Sequence, residues 1–102
     1  MTPAEPGCDL FVDATDDDAV LTMLGAHLGV PPEFSHLSPA GFEVRVGRNR
    51  LAEGGPGAGS DDFLDWPTLV EVSAEAGRDL AAFVADLTIV LQAAGHRVVA
   101  VY

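Results

Sequence analysis

The stretch "CDLFVDATDDDAVLTMLGAHLG", Cys8 to Gly29, changes its hydrophobic period halfway along. Up to Ala14 the period is two. Leu10, Val12 and Ala14 alternate with Asp9, Phe11 and Asp13, as on a strand with one buried face. Beyond Thr15 the period lengthens to that of a helix. Val20, Leu24, His27 and Leu28 recur at helical spacing, with Leu21 and Met23 on the flanks. Thr15 is read as the N-cap, its hydroxyl accepting from the Asp18 N–H. Asp16, Asp17 and Asp18 then lie in the first turn, where carboxylates meet the positive end of the helix dipole. Gly29 closes the helix, and Pro31 and Pro32 prevent its resumption.

The same stretch raises the question of a metal site. A calcium loop of the EF-hand kind needs glycine at its sixth position and glutamate at its twelfth. Counting from Asp13 gives Asp18 and Leu24, and counting from Asp16 gives Leu21 and His27. Both registers fail, so the aspartates are assigned to capping and no metal or cofactor is expected.

Working outward, "PPEFSHLSPAG" reads as a loop or short helical turn. "FEVRVGRNRL" is a second strand, with Phe42, Val44 and Val46 opposite Glu43 and Arg45. Gly54, Gly55, Pro56, Gly57 and Gly59 crowd the next segment, which reads as a mobile hairpin loop over 52–62. "FLDWPTLVEVS" is a third strand, interrupted at Pro67, which has no N–H for a ladder. In "AEAGRDLAAFVADLTIVLQAAG" one helical stripe joins Leu80, Phe83, Val84, Leu87, Leu91 and Ala94, and Gly95 ends it. "HRVVAVY" is the last strand. "MTPAEPG", residues 1–7, reads as a flexible end before a single α+β domain over 8–102.

The order strand, helix, strand, strand, helix, strand is that of a ferredoxin-like βαββαβ sandwich. Right-handed crossovers predict a four-stranded antiparallel sheet with the first and third strands central and both helices on one face. The other face is expected to carry Asp9, Phe11, Asp13, Glu43, Arg45, Leu69, Glu71 and Val99 or Arg97.

Charge narrows the function. The 102 residues hold 16 acids against five basic residues, all arginine, for a net charge of −11. Nucleic acids and anionic membranes both demand cations, so neither is expected as a partner. A basic protein is the expected partner. The absence of lysine alongside abundant alanine, glycine and valine suggests a GC-rich bacterial genome. No basic, apolar leader precedes the first strand and no apolar run reaches the ~20 residues of a membrane span, so a cytoplasmic protein is expected.

Catalytic signals are weak. Cys8 is the one cysteine and has Asp9 beside it, which works against a thiolate. His27, His36 and His96 show no i, i+4 pairing. The "GGPGAG" run leads to "SDDF" rather than to the lysine and hydroxyl residue of a phosphate loop. No catalytic residue is therefore assigned. "RVGRNR" gathers Arg45, Arg48 and Arg50. It reads either as a carboxylate or phosphate binder, or as the counter-charge to Asp61, Asp62 and Asp65 across the hairpin.

Two functional expectations follow. The first is a non-enzymatic interaction domain that binds a basic protein, in the manner of small acidic proteins that neutralise a toxin or regulate an enzyme. Its partner-binding residues would be Trp66, Phe63, Arg45, Asp61, Asp62 and Asp65. The second is a small-molecule-binding or catalytic homodimer using His36, Arg45 and Asp13. Ile89 and Val90 widen the apolar side of the last helix, which also points to a homodimer or a larger contact.

Overall fold

The computed structural model describes residues 6–50, 57 and 59–102. Strand β1 spans Gly7–Val12. Helix α1, Asp17–Leu28, follows. Strands β2 (His36–Leu37), β3 (Phe42–Arg48) and β4 (Thr68–Ala74) come next. Helix α2, Leu80–Ala93, leads to β5, Val98–Val101. The fold is α+β, with two helices and one antiparallel sheet in the order β2-β3-β4-β1-β5.

The sheet has five strands rather than the four expected from sequence. The extra one, β2, is two residues long and pairs His36 with Arg45 and Leu37 with Val44. No period is visible over two residues, so the segment read as a loop. The strand is set up by a tight turn in which Glu33 and His36 exchange both backbone hydrogen bonds. Phe34 occupies its first central position at φ 55°, the left-handed conformation that glycine ordinarily supplies. As a result β3 is not an edge strand. β1 and β4 lie at the centre of the sheet, as the crossover argument requires.

Strand parity sorts the two faces. Leu10 lies opposite Val70, and Val70 opposite Val46. Together with Cys8, Val12, Val44 and Val72 they form one core with Val20, Leu21 and Leu24 of α1 and Val84, Leu87 and Leu91 of α2. Phe42 stacks on Phe83 at 3.9 Å between centroids at one margin of this layer. His27 of α1 and Asp86 of α2 meet at 2.7 Å across the helix pair.

Two helix ends differ from the sequence reading by one residue: the C-cap of α2 is Ala94 rather than Gly95, and the start of α1 is shifted likewise. Asp16, not Thr15, is the N-cap of α1, and its carboxylate accepts from the Ala19 N–H. Asp17 and Asp18 fill the first turn, and Gly29 ends the helix at φ 70°. An aspartate cap accepts the same hydrogen bond as threonine and adds charge beside the helix dipole. Pro67 also acts differently from expected. It does not interrupt a strand but precedes one, since Phe63–Asp65 is a single 3₁₀ turn and the ladder begins at Thr68.

Candidate protein interface

Among the described residues, the face of the sheet away from the helices is covered at one end alone. There the segment 59–66 lies across β1 as a ridge. Phe63 meets Phe11 edge-on at 5.2 Å between centroids and Trp66 at 6.5 Å. Polar contacts fasten the ridge on both sides. On the β1 and β5 side, Asp13 accepts from the Gly59 N–H and from Arg97, whose Nε and Nη2 lie 3.1 and 2.8 Å from one carboxylate oxygen. Arg97 also donates to the Ser60 carbonyl and lies 4.8 Å above the Trp66 ring. On the β3 side, buried Asn49 donates through Nδ2 to the carbonyls of Leu64 and Trp66, each at 2.9 Å. The indole of Trp66 donates to the Ser60 carbonyl at 2.8 Å.

Among the described residues two ionisable groups are shifted, Asp13 beneath the ridge and Cys8 on the core side of β1. Burial alone would raise the Asp13 carboxyl. The Gly59 N–H and the hydrogen bonding and charge of Arg97 outweigh it, holding the group below the ordinary carboxylate value. The Cys8 thiol is raised, first by burial and then by the charge of Asp9, so it stays protonated and inert at neutral pH.

The partner-binding residues read from sequence therefore separate into three kinds. Trp66 is only 5% exposed and serves as the floor of the ridge. Phe63 is half-buried against Phe11. Asp61 and Asp62 are exposed, and Asp62 caps the 3₁₀ turn through the Leu64 N–H. Asp65 is half-buried and accepts from the Ser60 hydroxyl. Leu64, which the sequence did not single out, is 43% exposed on the same turn. Of the expected mobile loop over 52–62, residues 52–56 and 58 lie outside the described residues; Gly59 to Asp62 begin the ridge.

Arg45 lies elsewhere on the open face, in a row set by register. Val101, Asp9, Glu71, Arg45 and His36 stand side by side across β5, β1, β4, β3 and β2. The Ala74 N–H bonds the Pro6 carbonyl. Hydrogen-bonded pairs of β1 and β4 therefore fall at Cys8 and Val72, and Asp9 and Glu71 form the closer, non-bonded pair, with Cα atoms ~4.5 Å apart. Neither carboxylate meets a cation within ion-pair distance among the described residues. Arg45 instead donates from Nε to Nε2 of His36 at 3.0 Å, while Nδ1 of that ring lies 3.6 Å from Glu43.

Two hollows meet at Glu71 and Arg45. One, about 420 Å³, is lined by Asp9, Glu43 and Glu71 and reaches Val101 and Tyr102. The other, about 630 Å³, is lined by Arg45, Arg48 and Arg50 around Gly47, with Asp17 and Glu71 also lining it. The three arginines form no ion pair with Asp61, Asp62 or Asp65. The counter-charge expected across the hairpin is thus not made.

The catalytic set His36, Arg45 and Asp13 is not assembled. The first two touch, but Asp13 is held by Arg97 and Gly59 at the far end of β1. Among the described residues, no three His, Cys, Asp or Glu side chains converge as metal ligands, and no helix is long and apolar enough to cross a membrane. Comparison with known proteins returns no match, whether to a family model, a curated protein or a solved structure.

Proposed function

We propose that the chain is a small, non-enzymatic interaction domain that docks a basic protein surface through its acidic ridge. The supporting observation is the fastening of segment 59–66. Asn49, Asp13, Arg97 and Phe11 hold it from below and from both sides, and it presents Asp61, Asp62 and Leu64 outward. A loop ordered before binding loses little conformational entropy on docking, so more of its contact energy appears as affinity. An apolar side chain beside two carboxylates is an anchor with a charged rim, and the net charge of −11 steers a basic surface toward it.

The four longer strands run in the order β3-β4-β1-β5, with helices after β1 and β4. We read this as the ferredoxin-like βαββαβ arrangement with β2 added at one edge. In this reading the domain is a cytoplasmic bacterial protein, and a toxin or an enzyme that it holds in check is one class of protein that would supply such a basic surface.

The test is calorimetric titration with an arginine-rich nonapeptide, comparing the native chain with Asp61→Asn/Asp62→Asn. The native chain should bind, and binding should weaken as salt rises from roughly 0.1 to 1 M and the Debye length falls from about 10 to about 3 Å. The double variant should lose at least about fivefold in affinity, about 1 kcal/mol, the scale of rim charges. Binding indifferent to both salt and the substitutions overturns the proposal.

A further inference from the structure

The open face is self-complementary, and we infer that the basic surface its acidic ridge meets is supplied by a second copy of the same chain, in a two-fold dimer. This inference rests on the reading of 59–66 as an interaction ridge and names its partner.

Register carries the argument. Across the face, Asp9 and Glu71 occupy β1 and β4, and Arg45 and His36 occupy β3 and β2. A two-fold axis parallel to the strands and midway between β4 and β3 exchanges these halves. It brings Glu71 of one copy opposite Arg45 of the other, and Asp9 opposite His36. The ridge follows the same operation. It rises over Phe11 on β1, one row along from Asp9. The two-fold places it against β3 and β2 of the other copy, at the row of Gly47. That is where the hollow of about 630 Å³ holds Arg48 and Arg50. The acidic ridge thus meets a hollow whose three arginines outnumber its two acids, Asp17 and Glu71. A C2 contact makes each such pairing twice.

Two opposing terms bear on the dimer. The copies repel through their net charges, but at physiological salt the Debye length is about 8 Å. Charges facing each other across the contact therefore outweigh the distant remainder. The area is also small. Five strands about 4.8 Å apart, two to seven residues long at about 3.4 Å each, give a face of roughly 400 Å² before the ridge is added, below the ~800 Å² per partner of a standard interface. The dimer is accordingly a weak one, to be sought at high protein concentration.

Sedimentation equilibrium up to about 0.5 mM chain at about 0.15 M salt tests it, near the weak end of the affinity scale. Two charge-reversed variants are compared, Arg48→Glu/Arg50→Glu and Asp61→Arg/Asp62→Arg, with native circular dichroism confirming that both fold. Each alone should be monomeric. Mixed one to one they should restore the dimer, because each ridge then faces a hollow of opposite charge. A native chain that stays monomeric overturns the inference, as does a dimer that both reversals leave intact or a mixture that fails to recover. A monomer that still binds the arginine-rich peptide sinks the dimer alone; loss of peptide binding sinks the interaction ridge itself.

Discussion

Asp9 and Leu10 are neighbours on β1, yet they belong to different environments. Leu10 points into the layer between sheet and helices, where it is fully buried among aliphatic side chains from both helices and four strands. Asp9 points to the open face, exposed beside another carboxylate and with no cation at ion-pair distance among the described residues. One side of the sheet is closed by hydrophobic burial. Among the described residues the other is covered at one end alone, by a ridge that hydrogen bonds, the Phe11–Phe63 contact and Arg97 over Trp66 hold down. The folding energy resides in the first side. On the second, Asp9 and Glu71 have no ion-pair partner among the described residues, which suits an interaction surface.

The largest expected effect breaks the closed side. Leu10→Ala removes a fully buried side chain at the sheet centre and should cost about 2–5 kcal/mol, the range for such truncations. Leu69→Ala, on the open face of β4 and half-buried, should cost about 1 kcal/mol or less, because solvent can fill the space. Urea denaturation of both variants measures the difference. Equal costs would show that the open face is packed as tightly as the core, and the contrast between the faces would fail.

An intermediate effect tests the fastening of the ridge. Asp13 is 12% exposed and Arg97 49%, so their ion pair is partly screened. Asp13→Asn should cost about 1–2 kcal/mol, below the full range for hydrogen bonds to a charged group. Its pH dependence has a definite sign. The folded carboxyl titrates below its ordinary value of about 3.9. It therefore contributes fully above the unfolded value, and the contribution fades as pH falls below about 4 and through the folded value. The stability gap between native chain and variant should be flat from about pH 6 to 8 and shrink toward zero in acid. A gap that instead widens in acid would mean that the neutral carboxyl is the stabilising form.

The two faces were not equally legible in the sequence. The closed face was, because burial writes a period: two in β1, β3 and β4, near 3.6 in both helices. Parity also assigned Asp9, Glu43, Arg45 and Glu71 to the open side. The ridge was not legible. Its anchors are Asp13, Asn49, Phe11 and Arg97, far apart in the chain and each polar or aromatic for reasons that exist only after folding. Asn49, between two arginines, carried no signal at all. Trp66 is buried, and the sequence left its side open, because one tryptophan beside a proline fits a buried floor as well as an exposed contact. β2 was hidden because its short pairing depends on a turn that puts Phe34, 94% exposed, where glycine is usual.

The smallest expected effect is also the most discriminating, because its sign differs between the two neighbours on β1. A polar substitution at Leu10 would place an amide in the core, whereas Asp9→Asn should raise stability. Asp9 and Glu71 are directly opposite across a non-bonded pair, and like charges in that position are destabilising. Removing one should return about 0.2–1 kcal/mol, since asparagine keeps the shape and a similar strand propensity. The gain should shrink in roughly 1 M salt, where the Debye length of about 3 Å falls below the spacing of the two side chains. Thermal melts of the native chain and the variant at low and high salt resolve a shift of this size. A loss of stability on removing the carboxylate would mean that Asp9 already has a favourable partner within the folded chain. The open face would then be neutralised from within, and the charge it offers to a second copy would be correspondingly less.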